Sequence, residues 1–167
     1  MDFQKLWEEG KIQEFTRICS TGEIVKSVFF PSCERMKRYQ GAWHREKRYL
    51  FPRSIFLETA DKKALEGFLG KLSLMGFDAG QQEEGCVAAP AKESTVNFLQ
   101  QLCGAGQHIG FSRGYIRQGR TFVTEGPLMG KESCIQRIDR HKRLARLAID
   151  MPGRDAVDVG LEIYGKD

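Results

Sequence analysis

Hydrophobic and polar residues alternate most regularly near the end of the chain, over residues 144–150. One alternating set of side chains is entirely apolar and would face a core, while the set between them would face water. The core-facing set comprises Ala145, Leu147 and Ile149, and the water-facing set comprises Leu144, Arg146, Ala148 and Asp150. The alternation predicts a β-strand with one buried face.

Two more strands are predicted before this one. Residues 121–124 are β-branched or aromatic and run into a turn at 126–130, which contains proline and two glycines. A second strand is predicted over 131–138, where the spacing of Ile135 and Ile138 breaks strict alternation and indicates a bulge. Together the three strands predict a small antiparallel barrel.

The first hundred residues change between helical and strand-like periods. Apolar residues at helical spacing predict three helices: 11–19 (Ile12, Phe15, Ile18, Cys19), one capped by Asp61 (Leu65, Phe68, Leu69, Leu72), and 93–103 (Val96, Leu99, Cys103). Strands are predicted over 27–31, over 72–77, and in a hairpin over 34–51 that turns near Gln40 and Gly41. Residues 78–85 read as a loop, and residues 2–9 fit either a strand or a short helix.

Helices and strands in separate groups place the chain in the α+β class. Its 167 residues accommodate one ordinary domain or two small ones. A barrel of roughly fifty residues leaves about a hundred for a first domain. We therefore predict a first domain over residues 1–104, a glycine-containing linker over 105–113 and a barrel over 114–167.

Composition limits the classes of protein that fit. No apolar run approaches the roughly eighteen residues of a membrane helix, and residues 1–11 lack the order of a secretion signal. We therefore expect a monomer in the cytoplasm that binds no membrane. The five cysteines are widely spaced without a CxxC pair, so reduced thiols are predicted rather than disulfides or zinc ligands. They are Cys19, Cys33, Cys86, Cys103 and Cys134.

No pattern of catalytic residues is present in the sequence. It contains no HExxH, GxSxG or P-loop lysine and no close set of carboxylates. The three histidines, His44, His108 and His141, lie far apart along the chain. We predict a protein that is not an enzyme and has no catalytic residues, metal site or cofactor.

The sharpest functional signal is a basic cluster around a turn predicted at 139–142. Six basic residues fall within ten positions, opposed only by Asp139. They are Arg137, Arg140, His141, Lys142, Arg143 and Arg146. Such a cluster predicts RNA binding, because lysine and arginine neutralise phosphates and release their counterions. The alternative is a solvated strand surface.

The hairpin over 34–51 carries a second basic segment interleaved with aromatic residues. Alternation places Arg35, Lys37 and Tyr39 on one face of the first arm, and Arg45, Lys47 and Tyr49 on one face of the second. A ribbon of this composition is a candidate for nucleic-acid contact, with aromatic rings stacking on bases. The alternative is an edge hairpin whose charges prevent aggregation.

Several of these segments resemble one known family. The glycine, proline and isoleucine positions between Gly119 and Asp139 resemble a KOW motif. The runs 138–145 and 159–163 resemble the LoaP-type antiterminators of the NusG family. The segment Leu50-Phe51-Pro52, with residues 54–59 after it, resembles the LFPGYVFVET signature of the family's N-terminal domain, with Arg53 and Ser54 in place of glycine and tyrosine.

The resemblance implies a fold and a function. It implies an NGN-type antiparallel sheet flanked by helices over 1–104 and an SH3-like KOW barrel over 114–167. It implies a bacterial factor that binds the clamp helices of RNA polymerase through Phe51 and Pro52, with Phe3 and Trp7 beside them. The basic barrel would bind nascent leader RNA and promote terminator readthrough in specific long operons. Two alternatives stay open: a general elongation factor whose barrel binds a protein, and a ribosome-associated KOW protein that binds RNA.

Overall fold

The structure is a computed structural model that describes residues 10–52, 54–74 and 89–167. Its described residues form helices and several separate sheets, which confirms a mixed α+β architecture. The helices are α1 (Ile12–Thr21), α2 (Lys62–Leu74) and α3 (Glu93–Cys103). The strands are β1 (Ser27–Phe29), β2 (Ser32–Tyr39), β3 (Ala42–Tyr49), β4 (Phe56–Glu58), β5 (His108–Ile109), β6 (Ser112–Arg117), β7 (Arg120–Glu125), β8 (Ile135–Asp139), β9 (Leu144–Met151) and β10 (Arg154–Lys166).

The chain forms two compact units. One unit comprises Met1–Phe30 with Phe51–Ala89, and the other comprises Pro31–Leu50 with Pro90–Asp167. The predicted boundaries at 104 and 114 divide the chain differently, because the hairpin β2–β3 and helix α3 pack with the C-terminal strands. As functional domains, the predicted ranges remain a prediction.

The first unit is built around a small apolar core. Helices α1 and α2 bury one face each, as their helical spacing predicted, with Phe15, Cys19 and Leu72 almost fully buried. Helix α2 begins after Asp61, whose Oδ1 accepts the backbone N–H of Ala64 at 3.0 Å, so the predicted N-cap is confirmed. Beside the helices, β1 and β4 pair antiparallel.

Three predictions for this unit are either wrong or concern residues that the structure does not describe. The strand predicted over 72–77 is wrong at its start, because α2 continues to Leu74 and Leu72 completes its apolar face. The remainder of that segment, the loop predicted over 78–85 and the element predicted over 2–9 lie outside the described residues.

The hairpin β2–β3 belongs to the second unit. Its strands pair antiparallel, and Gln40 and Gly41 form the predicted turn with φ of +50° and +78°. Both values suit the tight two-residue turn that matches the twist of the strands. Strand β5, within the segment predicted as a linker, pairs parallel with β2, and Ile109 is fully buried.

The second unit also holds a five-stranded sheet in the order β7-β6-β10-β9-β8. Strand β10 pairs antiparallel with β9 up to Gly160 and parallel with β6 from Leu161 onward. The sheet is therefore mixed rather than antiparallel, because β6 and β10 run in the same direction. No ladder joins β7 to β8 within the described residues, so the sheet is open there.

The predicted faces of this sheet are largely confirmed. The apolar set of β9 is buried while Arg146 and Asp150 are exposed, and the predicted bulge appears as a register shift between Ile135 and Arg137. Strand β8 begins later than predicted, because Glu132–Cys134 form a 3-10 turn. The following turn spans residues 140–143 rather than 139–142, because Asp139 still pairs with β9.

Candidate nucleic-acid interface

The β8–β9 turn is built around Asp139. Its Oδ1 accepts the backbone N–H of Lys142 at 2.9 Å, which ties the end of β8 to the turn. This hydrogen bond, aided by the charge of Lys142, lowers the pKa of the Asp139 carboxyl. Arg143 completes the turn in the left-handed region, with φ of +55°. The local geometry therefore turns the backbone sharply and directs the side chains of residues 140–142 outward.

Five of the six basic residues predicted to bind RNA are exposed. They are Arg137, Arg140, His141, Lys142 and Arg146. In the part of the chain that the structure describes, none of the five lies within 4.0 Å of a carboxylate oxygen. Their charges are therefore available to an anionic ligand.

Two of these arginines lie side by side on the sheet. Arg137 in β8 is directly opposite Arg146 in β9, and Arg146 is opposite Asp158 on its other side. Like charges directly opposite each other destabilise a strand pair. A phosphate bound between the two guanidinium groups would relieve this repulsion, so the pair belongs to the candidate site.

Arg143 differs from the other members of the cluster. Its guanidinium forms an ion pair with Glu162 at 2.9 Å and lies 4.4 Å from the ring centroid of Trp43 in β3. Only 25% of the side chain is exposed, and its carbonyl accepts the N–H of Leu161 at 3.0 Å. In this structure Arg143 therefore anchors the turn instead of presenting a free charge, a role that the sequence did not indicate.

The hairpin does not present one basic face. Cross-strand pairing places Arg35 and Lys37 on the same face as Glu46, whereas Arg45 and Lys47 share the opposite face with Glu34. Glu46 lies 3.3 Å from Lys37, and Glu34 lies 3.5 Å from Arg45. The charges of the hairpin are thus partly neutralised within the hairpin itself.

Arg35 and Tyr39 are also engaged in the structure. Arg35 Nη2 donates to the carbonyl oxygen of Asp158 at 2.7 Å, and its Nε is buried without a hydrogen-bond partner. The ring of Tyr39 stacks on His44 with centroids 3.6 Å apart, although 45% of Tyr39 remains exposed. Tyr39 therefore has one ring face covered by a neighbour, and Arg35 is a structural contact.

Two hairpin residues outside the predicted set bear on the basic turn, one through contact with it and the other through strand pairing with the first. Trp43 contacts Arg143, as described above, and Arg38 is directly opposite Trp43 in the strand pair. Arg38 is exposed and forms no ion pair in the described part of the chain. The predicted turn at Gln40 and Gly41 already implied the pairing of Arg38 with Trp43, but no sequence signal connected the hairpin to the β8–β9 turn.

Of the residues implied to bind RNA polymerase, Phe51 and Pro52 are described and lie in the first unit. Phe51 is only 4% exposed and packs edge-on against Phe56 with centroids 5.2 Å apart. Pro52 is partly exposed. Phe3 and Trp7 lie outside the described residues. The burial of Phe51 favours a core role for this side chain in the structure described here.

The described residues offer little for metal or thiol chemistry. Among them, no group of three histidine, cysteine, aspartate or glutamate side chains is arranged to hold a metal ion. Burial raises the pKa of the Cys19 thiol to about 11 and that of Cys103 to about 12. Burial also raises the pKa of Cys33. These three thiols are protonated at neutral pH.

None of the helices described has the length and hydropathy needed to cross a bilayer.

The chain matches no protein-family model and no curated protein.

Proposed function

We propose that this protein is a NusG-type transcription antitermination factor that recognises RNA through the basic β8–β9 turn. The observation that carries the proposal is the group of exposed cations on that turn and its flanking strands. Arg137, Arg140, Lys142 and Arg146 are exposed basic residues and have no carboxylate partner in the described part of the chain. The protein acts by binding, not by catalysis.

The topology of the five-stranded sheet supports the KOW part of the proposal. Strands β6 to β10 form one sheet in which the first strand, β6, pairs with the last, β10. Among the described residues, a β7–β8 ladder is the one pairing that a closed ring of these five strands would add. This strand order is compatible with a small SH3-like barrel, and the resemblance of residues 114–167 to a KOW domain agrees with it.

The charge of the turn sets the expected strength of RNA binding. If the four permanently charged side chains each neutralise one phosphate, log affinity falls with log salt at a slope of about −3.6. Fourfold more salt then weakens binding by about two decades. This steep dependence distinguishes RNA binding by the turn from a neutral protein contact.

The polymerase contact rests on the family resemblance. Residues 1–104 would bind the clamp helices of bacterial RNA polymerase, and binding would stabilise an elongating conformation that reads through terminators. RNA in the leader of a long operon would recruit the factor to that operon. Of the two described residues implied to contact the polymerase, Pro52 is partly exposed and Phe51 is buried. A partner would therefore reach Pro52 more directly.

Transcription in vitro with bacterial RNA polymerase tests the proposal. Templates would carry a terminator with and without the upstream leader, and each would be transcribed with and without the protein. We expect readthrough only with the leader and the protein together. The double variant Arg140→Ala/Lys142→Ala should abolish it. The variant Arg120→Ala/Lys166→Ala removes the same charge from exposed positions outside the turn, and should retain readthrough.

Other outcomes would change the assignment. Readthrough on both templates would indicate a general elongation factor. No effect on either template, with the folded protein present, would exclude the antitermination function.

The burial of Phe51 favours a second candidate, a ribosome-associated KOW protein that binds RNA without polymerase. Substituting Phe51 would not separate the two functions, because a polar residue in the core would unfold the unit. Co-sedimentation separates them directly. A protein that sediments with ribosomal subunits and is not retained by immobilised RNA polymerase would belong to the second class.

A further inference from the structure

We propose that the tip of the β2–β3 hairpin and the β8–β9 turn form one RNA-binding surface, in which Arg38 contacts the RNA backbone together with Arg140 and Lys142. This inference rests on the proposed RNA binding of the turn and extends it to a second element. The surface so defined is called the composite surface.

Contact between the two elements is the first step. The guanidinium of Arg143 lies 4.4 Å from the ring centroid of Trp43, within the range of a cation–π interaction. Arg143 is also paired with Glu162 in β10. Arg143, the last residue of the turn, is therefore held between Trp43 of the hairpin and Glu162 of the sheet. The other cations of the turn, residues 140–142, come directly before it in the chain.

Rigidity of the hairpin is the second step. Three hydrogen bonds connect the hairpin, and Leu50 directly after it, to strand β10 and to Phe111 directly before β6. Arg35 Nη2 donates to Asp158 O at 2.7 Å, the N–H of Phe111 donates to Glu34 Oε2 at 3.1 Å, and Arg154 Nη1 donates to Leu50 O at 2.8 Å. These contacts keep the two halves of the composite surface in register before any ligand binds, which lowers the entropy cost of binding.

The position of Arg38 is the third step. Arg38 and Trp43 are directly opposite in the strand pair, which places their β-carbons about 5 Å apart on one face. Trp43 is therefore a neighbour of both Arg38 and Arg143. An RNA strand that leaves the cations of the turn and crosses Trp43 reaches Arg38 next.

The charge of the surface supports RNA as its ligand. The hairpin tip, residues 38–43, and the turn, residues 140–143, contain three arginines, one lysine and one histidine but no acidic residue. On the hairpin, Glu46 lies on the opposite face from Arg38 and is paired with Lys37 and Arg48. The partly exposed ring of Trp43 adds an apolar surface between the two groups of cations, which suits a nucleotide chain better than free phosphate.

Titration of fluorescein-labelled RNA with the full chain tests the inference. The probes are a stem–loop RNA and an unstructured uridine-rich RNA of equal length, each titrated between about 50 and 200 mM salt. We expect Arg38→Ala to weaken binding of the stem–loop about five- to tenfold and to reduce the salt slope by about one. Arg140→Ala should have a similar effect.

Arg120→Ala is the matched control. Arg120 is exposed and pairs with Arg117 at the far end of β6, beyond the Ile116–Lys166 pair. The turn instead lies at Leu161, so about five residues of strand, or roughly 17 Å, separate the two sites. Removing this charge should leave both the affinity and the slope near those of the wild type.

Three results would overturn the inference in distinguishable ways. If Arg140→Ala weakens binding but Arg38→Ala behaves as Arg120→Ala, the hairpin does not contribute and only the inference fails. If the wild type binds neither RNA, the proposed function fails with it. If polyglutamate displaces the RNA as effectively as unlabelled RNA, the surface binds acidic polymers in general and RNA is not its specific ligand.

Discussion

Gly160 in β10 lies so close to Glu34 in β2 that a β-carbon on residue 160 would be 2.5 Å from the carbonyl oxygen of Glu34. The same atom would be 2.4 Å from the ring of Phe111. Only glycine permits this approach, because the obstructing atoms include backbone. The packing of the hairpin on the sheet thus requires glycine at residue 160.

Gly160→Ala should therefore destabilise the second unit by about 1–3 kcal/mol, since the strand or the ring must move. Urea unfolding followed by tryptophan fluorescence measures the change. Gly106→Ala is the control, because an added β-carbon there meets no atom within 4 Å. Equal unfolding midpoints for the two variants would show that the hairpin does not pack against β10 as described.

Trp43→Leu should lower the melting temperature by a few degrees. The substitution keeps apolar volume but removes the ring on which Arg143 lies, an interaction of about 1 kcal/mol. Tyr39→Leu removes an aromatic ring from the same hairpin without touching the turn, since Tyr39 stacks on His44. If Trp43→Leu weakens RNA binding and Tyr39→Leu does not, the Trp43 ring positions the turn. Equal effects of both variants on RNA binding would contradict that role.

Glu132 should make the second unit sensitive to acid. Burial alone would raise the pKa of its carboxyl, but backbone N–H groups, including that of Val123 at 3.1 Å, lower it from the ordinary 4.5. A lowered folded-state pKa stabilises the fold above about pH 4.5, and this contribution is lost as the pH falls through the folded value.

Glu132→Gln should accordingly lower stability at neutral pH by about 1 kcal/mol or less. The difference from the wild type should disappear in acid. Unfolding midpoints in urea between about pH 3 and 7 report this. Glu125→Gln, at an exposed glutamate in the same strand region, should change little at any pH. A Glu132→Gln deficit that persists in acid would exclude the carboxylate charge as its cause.

Thiol accessibility should separate Cys134 from the three buried cysteines. Cys19, Cys33 and Cys103 are buried, and Cys134 is partly exposed. Because Cys86 lies outside the described residues, the measurement uses Cys86→Ser. In the native protein, Ellman's reagent should modify about one thiol rapidly at pH 8, and in guanidinium all of them. Rapid modification of three or more thiols in the native protein would contradict the described core.

The sequence predicted most elements whose apolar spacing is local. The helices around Phe15 and Leu99, the hairpin turn at Gln40 and Gly41, and the burial of alternate residues in β9 all follow from short-range periodicity and turn chemistry. The extra turn of α2 escaped prediction because Leu72 fits both a strand start and the last position of a helical stripe.

The candidate site was predictable in composition but not in arrangement. The exposed cations of the β8–β9 turn could be read from the sequence, since charge clustering is local. That Arg143 would pair with Glu162 and lie over Trp43 could not, because these contacts join residues far apart in the chain. The basic residues of the two hairpin arms lie on opposite faces because of the register between β2 and β3. Alternation within each arm does not determine that register.

Because β10 pairs with both β6 and β9, the five-stranded sheet can be completed only late in synthesis on the ribosome. Strand β10 joins two hairpins, β6–β7 and β8–β9, that have no other ladder between them in the described residues. An isolated hairpin is at best marginally stable in water. Until residues 154–166 have left the exit tunnel, the nascent chain holds two unfinished halves, and the basic turn lacks the Glu162 that anchors it. The basic turn therefore acquires its anchored conformation only once β10 has been made.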